Sequence, residues 1–313
     1  MTELRGLIRR NTALFFRDKG MFFTSLLTPL ILLCLYATFL ASLYHDMFLG
    51  FVNVGVPISD RLIDGAVGSQ LLSSLLAVSC VTVSFCSNML MVQDRAQGQI
   101  RDLTMSPLRP SILALGYYLS TALTTLIVCF AATIVGFVYI AFVGWYLSFV
   151  DVCLILLDVF LLVMFGTALS SVVHFFLTSQ GQISAVGTII SAGYGFICGA
   201  YMPISQFSSG LQNAVMLLPG TYGTALVRNH TFRGVLKKME SEGIPSEALD
   251  EMRNMLDCNI KFFGHRVSEP VMYAVLVGFI LLFAGIYLMM NVLREKRRQR
   301  ERLAAAKRSL ELV

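Results

Sequence analysis

Six stretches of this chain run for twenty residues or more without a lysine or arginine: Met21 to Tyr44, Val67 to Val92, Ser111 to Trp145, Tyr146 to Leu177, Ile183 to Met202 and Val271 to Leu293. A helix needs about 20 apolar residues to cross the ~30 Å hydrocarbon layer. Backbone polar groups cannot be left unpaired there, so a run of this kind folds as a helix. The chain of 313 residues is 56% hydrophobic and 14% charged, whereas a soluble domain carries about 25% charged residues. A soluble fold is excluded, and the expectation is an all-α integral membrane protein with six transmembrane helices. The third and fourth runs exceed what a bilayer requires, which implies tilt or projection past the interface rather than further crossings. The basic N-terminus has no small-residue cleavage site behind a short apolar core and is not read as a signal peptide.

Basic residues flanking short loops are retained in the cytoplasm. Of 24 lysines and arginines, five precede the first run, three lie between the second and third, eight fall from Arg294 to Arg308 and one, Arg61, follows the first run. The other seven sit between Arg228 and Arg266, in a loop too long for its charge to report topology. Both termini are therefore expected in the cytoplasm of a multi-pass protein of the cell membrane. A net charge of +5 confined to membrane flanks gives no basis for nucleic-acid binding.

Residues 1–20 place Leu4, Leu7, Ile8, Leu14 and Phe15 on one side of a helical wheel and Arg5, Arg9, Arg10 and Arg17 on the other. That is the pattern of a helix lying in the headgroup plane, its cations among anionic lipids. Within the transmembrane domain, 21–293, the segment 93–110 carries Asp94, Arg95, Gly98, Arg101 and Asp102 over about two helical turns and ends at Pro107 and Pro110. It reads as a short cytoplasmic helix, against the alternative of a solvated charged loop. Residues 203–227 are apolar but broken by Gly210, Pro219, Gly220 and Gly223, which suits a re-entrant hairpin shielded by protein. Residues 228–268 turn polar with two amphipathic stretches and are expected to form a small external helical cap. Residues 294–313 form a basic cytoplasmic tail. No repeat of 20 to 50 residues and no pair of matching interrupted runs is present, which disfavours an inverted-repeat transporter.

Gly187, Ser191, Gly195 and Gly199 recur every four residues and form a small-residue packing seam. Spacing alone does not separate a seam within the chain from one between two copies. Ser73, Ser74, Ser79, Thr82, Ser84, Ser87 and Asn88 make the second run too polar to face lipid, and Thr82, Ser84 and Asn88 are candidates for lining a substrate cavity. Asp158 in the fourth run joins them as an intramembrane carboxylate that must face a partner, water or the bundle interior; a transport role and a buried polar network are both open to it. Asp151 reads as a first-turn anion on the helix dipole, and His174 as an interface residue. Six of the seven cysteines lie in apolar runs without metal-ligand spacing, and Cys258 reads as a free thiol, an intermolecular bridge being the lesser alternative. No metal site is expected. There is no Gly-Lys pair, so no phosphate-binding loop, and no zinc-protease or nucleophile-elbow motif. The chain is not expected to be an enzyme.

Four local patterns, in this order, resemble one family: Phe16-Arg17-Asp18-Lys19 leading into Leu27-Thr28-Pro29-Leu30; Asp94-Arg95, then Gly98 and Ser106-Pro107-Leu108; Gly199-Ala200-Tyr201-Met202-Pro203-Ile204; and Leu218-Pro219-Gly220-Thr221-Tyr222. With the order of segments, they make the whole chain similar to the ABC type-2 permeases, membrane subunits of ATP-binding-cassette exporters with the ABCG-like fold. The family usually has Glu where Asp94 stands, and its external segment is shorter. The resemblance implies two permease subunits, as a homodimer or heterodimer, docked on two ATPase subunits that carry ATP and Mg. It makes 93–110 the coupling helix, with Asp94, Arg95, Gly98, Arg101, Asp102, Ser106 and Pro107 as its working residues. It has the second and fifth spans line the cavity and Pro203, Pro219, Gly220 and Tyr222 form an outer gate. The absence of a fused ATPase implies a bacterial protein, and drugs, peptides, lipids and lipid-linked glycans all suit as cargo. The rival reading is a stand-alone membrane sensor or assembly protein that binds a ligand through its external cap.

Overall fold

The computed structural model describes residues 2–52, 59–100 and 110–311. Arg101, Asp102, Ser106 and Pro107 therefore lie outside the described residues. Helix α1 (Thr2–Arg17) ends at Asp18, whose carboxylate accepts from the Met21 amide and starts α2 (Lys19–Leu35). A π-helical turn, Tyr36–Leu40, carries α2 into α3 (Ala41–Val52) without a break. Then follow α4 (Asp60–Ala96), α5 (Pro110–Val143), α6 (Phe149–Phe175) and α7 (Gln180–Ile197). Ser148 with Asp151, and Ser179 with Gln182, form capping boxes that set the starts of α6 and α7. A 3-10 turn at Ile204–Gln206 and α8 (Ser209–Val215) lead to α9 (Pro219–Ser241) and α10 (Ser246–Met255). The antiparallel ribbon β1 (Lys261–Phe262) and β2 (His265–Arg266) precedes the last helix, α11 (Glu269–Glu311).

Among the described residues five stretches are long and apolar enough to cross a membrane: Lys19–Gly50, Asp60–Ala96, Ser111–Val143, Phe149–Phe175 and Glu269–Arg297. The fifth apolar run differs from expectation. It folds as the 18-residue α7, about 27 Å long at 1.5 Å per residue, because Gly199 at φ +76° turns the chain out of the helix before Met202. The all-helical expectation holds apart from the two-residue strands of the ribbon.

Helix α4 is the hub and is buried along almost all its length, as befits a helix without an apolar stripe of its own. It packs on α5, α6, α9, α2 and α7. Helix α9 runs antiparallel to α6. Gly223 meets Leu162, about 20 Å of helical rise along α6 from Phe149, and Gly234 meets the Tyr146 carbonyl beyond the start of α6. The N-terminus of α9 thus lies deep among the long helices while its C-terminus leads into α10. The helix is continuous through Val227 and Arg228, so the compositional border drawn there is not a structural one.

Candidate functional site

Asp94, near the end of α4, is buried and joins three helices. Arg10 of α1 donates to both its carboxylate oxygens, at 2.7 and 3.3 Å, and Tyr117 of α5 donates at 2.6 Å. Its hydrogen bond to Asp94 raises the Arg10 pKa above its already high ordinary value, so the guanidinium stays charged at physiological pH. Beside it Asn11 donates to Ser120 at 3.2 Å. Arg5, Arg9 and Arg17 stay exposed, while Arg10 turns away from that face to meet Asp94. Arg95 donates to the carbonyls of His174, Phe175 and Leu177, closing the C-terminal end of α6. Gly98, at φ +81°, ends α4 in the left-handed conformation. Asp94 and Arg95 therefore fasten helices to one another instead of presenting charge to the surroundings.

The polar residues of α4 are placed inside the bundle. Asn88 donates to Ser170 and Ser171 of α6, each at 3.2 Å, and accepts from Thr121 of α5. Thr82 and Ser84 bond to carbonyls one turn back on their own helix. These side chains act as ties between helices or satisfy local backbone, and none of the three borders the open cavity described next. His174 is likewise buried, bonded through Nδ1 to the Ser170 carbonyl.

A cavity of about 910 Å³ runs between α2 and α7, with Cys86, Met89 and Gln93 of α4 as its floor. Asp18, Gly20 and Gln180 lie at one end, Phe196 and Tyr201 at the other, and Thr24, Thr28, Ser184, Gly187, Thr188 and Ser191 add hydroxyls and small surfaces between them. Within the chain the four small residues, three on α7 and Gly199 beyond its end, do not pack as one seam. Gly187 faces Met89, Ser191 borders the cavity, Gly195 is covered by the Tyr201 ring, and Gly199 belongs to the turn after the helix.

Pro203, Pro219, Gly220 and Tyr222 are packed below the α10 end of the bundle. Gly220 lies under the Tyr194 ring, where a Cβ would collide, and Tyr222 donates to the Met216 carbonyl at 2.8 Å. Arg228 is fully buried and organises the chain around them. It donates to the carbonyls of Leu256 and Gly199, both at 2.8 Å, and to Asp257 at 3.3 Å, while Asp257 accepts from the amides of Ile204 and Ser205. Burial raises the Asp257 carboxyl above its ordinary range, and the Arg228 charge and the two amides oppose the shift.

Asp158 accepts from the Tyr273 hydroxyl of α11 at 2.7 Å, and it meets His230 of α9 at 2.5 Å. Composition gives no sign that His230, in a polar stretch 72 residues away, reaches into the bundle. Asp151 stands in the first turn of α6 as expected; it also forms a capping box with Ser148 and meets Arg233 at 3.4 Å. Cys258 is a free thiol and buried, which leaves it no surface for an intermolecular bridge. Among the described residues no three His, Cys, Asp or Glu side chains are arranged to hold a metal ion.

The family model described as ABC-2 type transporter matches residues 2–232, well over half of the chain. No curated protein matches it.

Proposed function

The chain belongs to the ABC-2 type transporter family, and from that premise we propose that it is the permease half of an exporter. Such membrane domains are multi-pass permeases that lack the ATPase, and hydrolysis occurs on a partner subunit. In this reading α7 makes the sixth crossing and both termini lie in the cytoplasm, of a bacterial cell membrane. The Asp94 end of the bundle is then cytoplasmic and the α10 end external. Residues 93–110 take the push of the ATPases, which bind ATP and Mg, and the junction of Arg10, Asp94 and Tyr117 passes it to α1, α4 and α5. Pro203 and the Pro219 to Tyr222 stretch act as an outer gate.

The observation that carries this reading is the cavity between α2 and α7. It extends nearly the length of α7, is amphipathic, and is left open on one side, as a pathway closed by a second permease subunit requires. Drugs, peptides, lipids and glycolipids fit a lining of this mixed polarity. The test is co-purification with a candidate ABC ATPase subunit, reconstitution into liposomes and a screen of these cargo classes for stimulated ATP hydrolysis. Wild type should show stimulation by at least one class. Ser191→Trp, which fills the cavity, should abolish stimulation while leaving membrane insertion and ATPase binding intact. ATP hydrolysis by the isolated chain, or stimulation indifferent to Ser191→Trp, would count against the proposal.

A further inference from the structure

The side chains that line the cavity between α2 and α7 agree in sign. Among the described lining residues the one charged group is the Asp18 carboxylate at one end, and there is no lysine, arginine or histidine. One Asp18 oxygen accepts from the Met21 amide at 3.1 Å, and no ion pair among the described residues takes up its charge. Arg17 and Lys19, its neighbours in sequence, are exposed and do not border the cavity. Four lining hydroxyls donate to backbone carbonyls of their own segment: Thr24 to Gly20 at 2.7 Å, Thr188 to Ser184 at 2.9 Å, Ser184 to Gln180 at 3.2 Å and Tyr201 to Ser191 at 3.4 Å. A hydroxyl has a single proton, so each of these has only oxygen lone pairs left to offer a ligand. Thr28, Ser191, Gln93 and Gln180 can turn either a donor or an acceptor to it. At the far end the Phe196 and Tyr201 rings meet edge to face at 5.1 Å and Phe196 is 53% exposed; an aromatic face attracts a cation.

Resting on the exporter reading, we propose that the cargo of this cavity is an amphipathic organic cation, a protonated amine on an apolar body. Each part of such a molecule has its counterpart in the lining. An ammonium has donors and no acceptor, which matches a carboxylate and hydroxyls whose protons are already placed. The body lies along Leu27, Ile31, Leu35 and Met89. A volume of about 910 Å³ is that of a site for a drug-sized molecule. Both ends of the path favour positive charge, Asp18 where cargo enters from the cytoplasm and the Phe196 ring where it leaves. A fatty acid, a lipid phosphate or an acidic glycan finds no cation in the lining and would enter with its charge desolvated and unmatched. Of the cargo classes that fit by size and polarity, those bearing an amine are selected.

The experiment uses three probes built on one fluorophore: dansylcadaverine, which ends in a primary amine; its N-acetyl derivative, which is neutral; and dansyl-aminohexanoate, which ends in a carboxylate. The full chain is placed in phosphatidylcholine nanodiscs, whose headgroups carry no net charge, and the rise in dansyl emission is titrated at neutral pH without ATP. The amine should bind about tenfold more tightly than the neutral probe, the contribution of a hydrogen bond from a charged donor, and the carboxylate more weakly than either. Asp18→Asn keeps a capping side chain at the start of α2 and should reduce the preference for the amine over the neutral probe by up to about fivefold, the upper range for an exposed ion pair. Ser191→Trp should remove saturable binding of the amine, which places the probe in the cavity. Equal affinities for the three probes, a preference untouched by Asp18→Asn, or amine binding untouched by Ser191→Trp overturns the proposal. Binding needs neither nucleotide nor ATPase, so its outcome is separate from that of the exporter reading. Hydrolysis stimulated only by neutral or anionic cargo would keep the permease and overturn the cation, whereas selective amine binding without stimulated hydrolysis would keep the amine site and count against the exporter.

Discussion

Gly234 illustrates how a single atom decides whether two helices meet. It lies inside α9, where glycine costs roughly 0.5–1 kcal/mol relative to alanine, and a Cβ there would collide with the Tyr146 carbonyl. The missing side chain is what allows α9 to lie against the backbone that leads into α6. Gly234→Ala should therefore destabilise the protein by about 1–3 kcal/mol, the usual cost of overpacking, seen as a lower Tm in detergent. Gly6→Ala is the control, since nothing lies within 4 Å of a Cβ there, and it should be neutral or slightly stabilising. Equal Tm values for Gly234→Ala and wild type would show that the close approach is not required. Arg10 makes a second point at this scale. Four arginines share one side of a helical wheel, but the wheel does not show that a buried Asp94 waits beside one of them.

At the scale of elements, α9 is held by a charge pair that no water reaches. Arg228 and Asp257 have side chains 1% and 5% exposed, and between them they bind the carbonyls of Leu256 and Gly199 and the amides of Ile204 and Ser205. Removing one partner of a buried pair costs about 3–5 kcal/mol because it strands the other charge, while removing both costs far less than twice that. Arg228→Met should accordingly lower Tm sharply, and Arg228→Met with Asp257→Asn should recover part of the loss. Additive effects in the double variant would mean the two residues act independently. This pairing also marks the limit of what a sequence makes visible. Span positions were legible because hydropathy is a local property, and α2 with α3, α4, α5, α6 and α11 lie where the apolar runs predict. The place of Asp151 in the first turn of α6 was legible because it depends only on where the helix starts, whereas its capping box with Ser148 is a finding of the structure. Arg228 with Asp257, Arg10 with Asp94 and His230 with Asp158 were not, because each joins distant segments and leaves no periodic trace. The continuity of α9 was hidden for the opposite reason, since polarity changes at Arg228 while the backbone does not.

For the whole molecule the decisive quantity is the parity of crossings. Among the described residues five stretches are long and apolar enough to cross, and five crossings would put the two ends on opposite sides. The 18 residues of α7 reach about 27 Å, just under the hydrocarbon thickness, and their glycines, serines and glutamines weaken the apolar signal. Their neighbours argue for a crossing. At the start of α7, Gln180 borders the same cavity as Asp18 and Gln93, whereas Gly199, just past its end, gives its carbonyl to Arg228, two residues from the His230 that meets Asp158. A short helix can bridge these levels because Ser184, Thr188 and Ser191 of its polar face border the cavity instead of lipid. Six crossings return the chain to the side on which it began, in agreement with the arginine-rich segments at both ends. Fusions of alkaline phosphatase, active only outside, and of a fluorescent protein, bright only inside, to each end in turn resolve the matter. Both ends should give fluorescence without phosphatase activity. A phosphatase signal at one end alone would make the number of crossings odd and return α7 to the same side as its start, and the cavity it borders could no longer serve as a path across the membrane.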